Sequence, residues 1–137
     1  MIRNKAQVQG YLLGKLKNSS SCVLEADLVS EDGLAIVSTS KDTALRDKIA
    51  ALASSVFKPA HKAGEELLFD GVNFVIISGR KLNLYIRAIG NGQVLAILVE
   101  SGSDWQTIQP EIVRTVQDLR SLASMKSAIE LKPDSKG

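Results

Sequence analysis

The chain has 137 residues, 45% of them hydrophobic and 23% charged, which gives one domain with enough apolar material to build a core and excludes disorder as its dominant state. Seventeen Lys and Arg against fifteen Asp and Glu leave a net charge of +2, too mild for the dense basic stripe of a nucleic-acid binder. Aromatic residues are only 4%, which argues equally against a base-stacking platform.

No apolar run approaches the roughly 18 residues of a membrane span, so direct membrane insertion is not expected. Met1-Ile2-Arg3-Asn4-Lys5 leads into mixed polar sequence rather than the apolar centre of a secretory signal. The single cysteine, Cys22, cannot form a disulfide within the chain, and a reducing, cytoplasmic setting is the expectation. One histidine and one cysteine exclude a zinc site built from several such ligands in one chain. The phosphate-loop pattern G-x-x-x-x-G-K-[ST] and the nucleophile pattern G-x-S-x-G are both missing. Gly90-Asn91-Gly92 resembles the start of a dinucleotide fingerprint, but its third glycine is absent and a strand follows, so it reads as a turn. Neither cofactor nor metal is expected.

Lys5 to Lys17 places Val8, Tyr11, Leu12 and Leu16 at helical spacing, and Asn18-Ser19-Ser20-Ser21 ends the helix. Cys22 to Val29 reads as a strand with Cys22, Leu24, Ala26 and Leu28 on one face. Glu25, Asp27 and Asp32 then read as surface carboxylates, their spacing unlike that of a calcium loop. Asp32-Gly33 is a hairpin signal, and Leu34 to Thr39 is the return strand.

Ser40 or Asp42 caps a long helix in which Leu45, Ile49, Leu52, Val56, Ala60, Ala63 and Leu67 form a stripe. Beside it runs a second stripe of mostly small residues: Ala50, Ser54, Phe57, His61 and Gly64. Small side chains let helix axes approach closely, so this stripe is expected to contact another helix, most naturally that of a second copy. The alternative is an exposed helix face that tolerates Ala and Ser. Pro59 removes one amide from the helix, and either a kink near Lys58 or a join between two helices is expected. The in-phase periodicity favours the kink.

Phe69-Asp70-Gly71 closes the helix. Three strands follow, at Val72 to Ser78, Leu82 to Ile89 and Gln93 to Val99, joined by tight turns into an antiparallel meander. Ser103-Asp104 caps a last helix with Ile108, Ile112, Val116 and Leu119 inward. It starts at Trp105, or near Ile108 if Pro110 is to fall in its first turn. Trp105 is expected to cap the core beneath this helix, His61 to be a packed residue rather than a catalyst, and Cys22 a small buried hydrophobe. The domain is taken as 1–124, with 125–137 a partly disordered extension. The fold class is thus α+β, in the order α-β-β-α-β-β-β-α, with one five-stranded antiparallel sheet between helices.

The hairpin Leu24-Glu25-Ala26-Asp27-Leu28-Val29-Ser30-Glu31-Asp32-Gly33-Leu34-Ala35-Ile36, the Ala-rich helix and the three strands after it resemble Roadblock (dynein light-chain) domains, which share a profilin-like sheet. The resemblance spans roughly Lys5 to Leu122. Departures are Pro59 and Asp104-Trp105-Gln106-Thr107, where many relatives carry an Asn-Leu-Gly-like helix start. It implies strand order 2-1-5-4-3, with the first and last helices on one face and the long helix on the other. It also implies a homodimer in which the third strands pair and the long helices lie side by side. Together with the helix stripe, this places Ala50, Ser54, Phe57, His61, Gly64, Val72, Phe74, Val75, Ile76 and Ile77 at the interface.

Family members bind Ras-like small GTPases as regulators or scaffolds, without catalysis of their own, and the dynein light chains serve as motor adaptors. The third face of the long helix, with Lys48, Ala51, Ser55, Lys58 and Lys62, is the expected GTPase-facing surface, able to steer an acidic partner. A small-molecule sensor with a pocket between sheet and helix is the alternative.

Overall fold

The computed structural model describes residues 4–68 and 70–136, with side chains over 4–67 and 70–124. Helix α1, Lys5–Asn18, starts at a capping box. The Asn4 side chain accepts from the Gln7 amide at 2.8 Å, and the Gln7 side chain accepts from the Asn4 amide at 3.1 Å, so the first turn's free N–H groups find partners. Its buried row is Gln9, Leu13 and Leu16, while Tyr11 is exposed. The expected row through Val8 and Tyr11 is therefore displaced. α1 is wedged between β1 and α3, and those two neighbours, not the widest apolar arc, set its inner face.

Strands β1 (Val23–Val29), β2 (Ala35–Ser38), β3 (Phe74–Ser78), β4 (Leu82–Gly90) and β5 (Gln93–Glu100) form one sheet in the order β2-β1-β5-β4-β3. Every neighbouring pair is antiparallel: three join successive strands through turns, and β1–β5 joins strands distant in the chain. In the β4–β5 turn Gly90, Asn91 and Gly92 all have positive φ (124°, 56° and 77°), a region that glycine enters without steric cost and asparagine tolerates.

β1 departs from simple alternation. Val23 pairs with Val99, but Glu25 pairs with Leu98, so Leu24 is an extra residue and stands exposed. This bulge puts Val23, Ala26 and Leu28 together on one face and turns Glu25 and Asp27 to the other. Both carboxylates are buried. The reading of them as surface groups is corrected: β1 lies inside the sheet with helices over both its faces, so a polar residue there has no route to water. Asp32 alone of the three stays exposed.

Helix α2, Thr43–Leu68, is one element that carries Pro59 inside it, so no second helix begins there. Asp42 caps it, its carboxylate accepting from the Leu45 amide at 3.1 Å. Phe69, expected to help close it, lies outside the described residues. The helix turns Ile49, Ala50, Ala53 and Ser54 inward, with Val56 and Phe57 partly buried, against Val29, Leu84, Ile86, Val94 and Ala96. Leu45, Leu52 and Leu67 are exposed. The buried face thus lies between the two expected stripes, taking Ile49 and Val56 from the first and Ala50, Ser54 and Phe57 from the second. Small side chains allow the helix axis to lie close to the sheet, and the leucines are left on the flank.

Helix α3, Trp105–Lys136, starts at Trp105 and not near Ile108. Asp104 makes this possible: it accepts from the Gln106 amide at 3.1 Å and from the Thr107 hydroxyl at 2.8 Å. Pro110 consequently sits in the second turn, where the N–H it lacks leaves one carbonyl unpaired by the helix. Ile108, Ile112, Val116 and Leu119 are buried as expected, in a cluster with Leu13, Leu16, Tyr85 and Leu95. Trp105 packs against this core, its ring 4.9 Å from that of Tyr85. Cys22 is half-buried beside it. The expected extension, 125–137, lies outside the residues whose side chains are described.

Candidate partner surface and adjoining cavity

The sheet is covered unequally. α1 and α3 share one face, and α2 alone crosses the other. On the α2 side, Ile77 and Leu82 remain 43% and 42% exposed although Leu84 beside them is buried. Their common face follows from the register, in which Ile77 pairs with Leu84 and side chains alternate along each strand. The exposed Leu45 and Leu52 of α2 border the same side of the sheet. The opposite flank of the helix is occupied by the β1–β2 turn: Gly33 approaches Ala51 and Ser54 there, and the Ser54 hydroxyl donates to the Glu31 carbonyl at 2.7 Å.

β3 bounds this uncovered area. It is an edge strand paired only with β4, and its sequence FVIIS has no charge. Phe74, Ile76 and Ile77 are exposed and Val75 is half-buried. An uncharged apolar edge with free backbone groups is a template for another strand. On the far face of β3, Phe74 stacks on Tyr85 at 5.2 Å, and the Arg87 guanidinium lies 6.0 Å from the Phe74 ring.

The residues expected at a dimer interface therefore separate into two groups. Phe74, Val75, Ile76 and Ile77 lie on the open edge. Ala50, Ser54 and Gly64 are buried within this chain, and Phe57 and His61 are half-buried and stacked on each other at 5.7 Å. Within the single chain these helix residues face its own sheet and loops. Val72 precedes β3: its amide donates to His61 Nδ1 at 3.3 Å, and its side chain fills the space left by Gly64. His61 is a packed residue, as expected. The residues missed by sequence reasoning are Leu45, Leu52 and Leu82, which it had turned inward.

Lys48, Ala51, Ser55, Lys58 and Lys62 are all exposed and follow one another along a single strip of α2, as their spacing requires. Lys58 and Lys62 also border a cavity of about 550 Å³ between the second half of α2 and the β1–β2 and β4–β5 turns. The sensor alternative expected a pocket between sheet and helix, but neither the place nor the lining of this cavity. Its walls come from three segments distant in the chain, and only the strand order brings them together.

Buried beneath α2, Glu25 and Asp27 share a side-chain hydrogen bond. Ser38 donates its hydroxyl to Asp27 Oδ1, while Glu25 Oε2 and Asp27 Oδ2 have no other donor. Burial, reinforced by the hydrogen bond to Glu25, pushes Asp27 up to about 8, since a buried charge loses its hydration. Among the described residues no group of three or more His, Cys, Asp or Glu is placed to hold a metal ion, and no helix is long and apolar enough to cross a membrane.

Comparison with known proteins agrees with this architecture. Residues 11–99 match the family model of the Roadblock/LC7 domain, and the chain belongs to that family. The Roadblock/LC7 domain from Streptomyces avermitilis is 25% identical, with a TM-score of 0.78 over 84% of this chain and 97% of its own. MglB of Myxococcus xanthus is 14% identical, with a TM-score of 0.81 over 91% of this chain and 94% of its own. Profilin IA of Acanthamoeba castellanii, at 12% identity and a TM-score of 0.50 over 83% of this chain and 98% of its own, shares the sheet in looser form. No curated protein matches the chain at a significant level.

Proposed function

We propose that the chain acts as a homodimer that binds a Ras-like small GTPase and regulates or scaffolds it, with no active site of its own. The observation that carries the dimer is the half-covered α2 side of the sheet. Leu45 and Leu52 of α2, Leu82 of β4 and Ile77 of the uncharged edge strand β3 are all exposed on that side. A second copy related by a two-fold axis would pair its β3 with this one and lay its α2 over the same area, closing both openings with one contact. The interface read from the sequence moves accordingly: its strand residues stay, and the helix contribution passes from Ala50 and Ser54 to Leu45 and Leu52.

Membership in the Roadblock/LC7 family supports the GTPase as partner, and the lysine strip supplies a docking surface. Lys48, Lys58 and Lys62 would steer an acidic partner toward the helix and raise its association rate in a salt-dependent way. The test is binding of the purified protein to Ras-like GTPases encoded in the same genome, each loaded with GDP or a GTP analogue. Binding in at least one nucleotide state is expected, and absence of contact in both contradicts the reading. The double reversal Lys58→Glu with Lys62→Glu should slow association while leaving the protein folded. An unchanged on-rate moves the docking surface elsewhere.

A further inference from the structure

The cavity beside α2 has the volume of an ordinary small-molecule site, about 550 Å³, and its shape is held by specific contacts. The Ser54 hydroxyl fastens the β1–β2 turn to the helix through the Glu31 carbonyl. Gly92 makes room for the Glu31 side chain, since a Cβ there would stand 2.6 Å from its carboxylate oxygen. The Val72 amide donates to His61 Nδ1, so a neutral imidazole carries its proton on Nε2.

The lining combines an apolar base with two lysines and two glutamates. Phe57, Ala88 and Val94 supply the base. Lys58 and Lys62, one helical turn apart, form no ion pair among the described residues. Of the two acidic lining residues, Glu65 lies 3.7 Å from His61 Nε2 and Glu31 is packed over Gly92. Two lysines without an ion pair among the described residues, lining the same cavity as an apolar base, match a ligand that is anionic at one end and hydrocarbon at the other.

We infer that this cavity binds a small amphipathic anion, with its carboxylate or phosphate between Lys58 and Lys62 and its apolar body against Phe57, Ala88 and Val94. The site shares Lys58 and Lys62 with the proposed GTPase-docking strip, but it lies within the single chain and its test uses no GTPase. Failure to find a protein partner would leave it standing.

Titration of the full chain with octanoate, hexyl phosphate, octanol and octylammonium, followed by amide chemical shifts and calorimetry, tests the inference. Octanoate or hexyl phosphate should bind, and whichever is tighter identifies the head group. Octanol and octylammonium should bind at least about tenfold more weakly, and the pair Lys58→Ala with Lys62→Ala should weaken the anion by about the same factor. Ala88→Phe, which fills the base, should abolish binding. If that variant fails to fold, the lysine pair on the exposed helix flank still decides. Octylammonium binding as tightly as octanoate, undiminished binding by the lysine variant, or no shift with either anion overturns the inference. Cosedimentation with phosphatidylglycerol vesicles in the absence of octanoate or hexyl phosphate binding overturns it too, by assigning the lysines to a lipid surface.

Discussion

Glu25 and Asp27 stand two residues apart on the same face of β1, both buried, with a hydrogen bond joining their carboxyl groups. Burial first, and then the hydrogen bond to Glu25, disfavour the charged form of Asp27, so below about pH 8 the folded chain retains a proton there.

This proton links stability to pH. Asp27 titrates near its ordinary 3.8 in the unfolded chain and at about 8 in the folded one, so between those values the folded state binds more protons than the unfolded state. Stability from this group is full below the lower value and falls as pH rises through the upper one. Asp27→Asn keeps the shape and gives Glu25 a permanent N–H donor. It should raise the melting temperature at about pH 8, by the ~1–3 kcal/mol of an unsatisfied buried polar group, and flatten the decline between about pH 5 and pH 8. Thermal unfolding across that range checks both effects.

The rotation of the buried face of α2 away from Leu45 and Leu52 separates two variants. Ala50 is fully buried against the sheet, so Ala50→Leu should destabilise the chain by about 1–3 kcal/mol through overpacking. Leu52 is exposed, so Leu52→Gln should leave the single-copy fold intact and weaken self-association. Chemical unfolding and sedimentation, run on both variants, distinguish the effects. The opposite assignment would restore the small-residue stripe as the contact between copies.

Gly71 supports His61 by its lack of a side chain. A Cβ there would lie 2.4 Å from His61 Cε1, forcing the imidazole away from the Val72 amide. Gly71→Ala should cost only about 0.5–1.5 kcal/mol in urea unfolding, because the half-exposed imidazole can swing aside and the loss is that of one hydrogen bond. The same substitution in a His61→Ala background should cost much less, and a double-mutant cycle measures the difference.

The strands and helices were legible because their apolar periodicities are local. Asp32-Gly33 and Gly90-Asn91-Gly92 marked turns, and the apolar run of Gln93–Val99 showed a strand covered on both faces. What escaped depended on contacts distant in the chain. A bulge at Leu24 leaves no local mark, so the faces of Glu25 and Asp27 could not be assigned from alternation. On α2 two stripes of plausible width compete, and only the sheet beneath decides that close approach favours Ala50 and Ala53 over Leu45 and Leu52. Periodicity likewise could not choose the start of α3, which Asp104 fixes by capping at Trp105. The candidate surface was legible in its lysines, which need only helical spacing, and in its edge strand. The cavity between α2 and the two turns was not, since its walls meet only in the folded sheet.

Sedimentation velocity of the wild-type chain and of Ile77→Lys at low micromolar concentration tests the dimer most directly. The account predicts a two-copy species for the wild type, and a folded single copy for the variant whose charge blocks the β3 edge. A wild-type chain that sediments as one copy with β3 open, or an Ile77→Lys variant that still pairs, would contradict it.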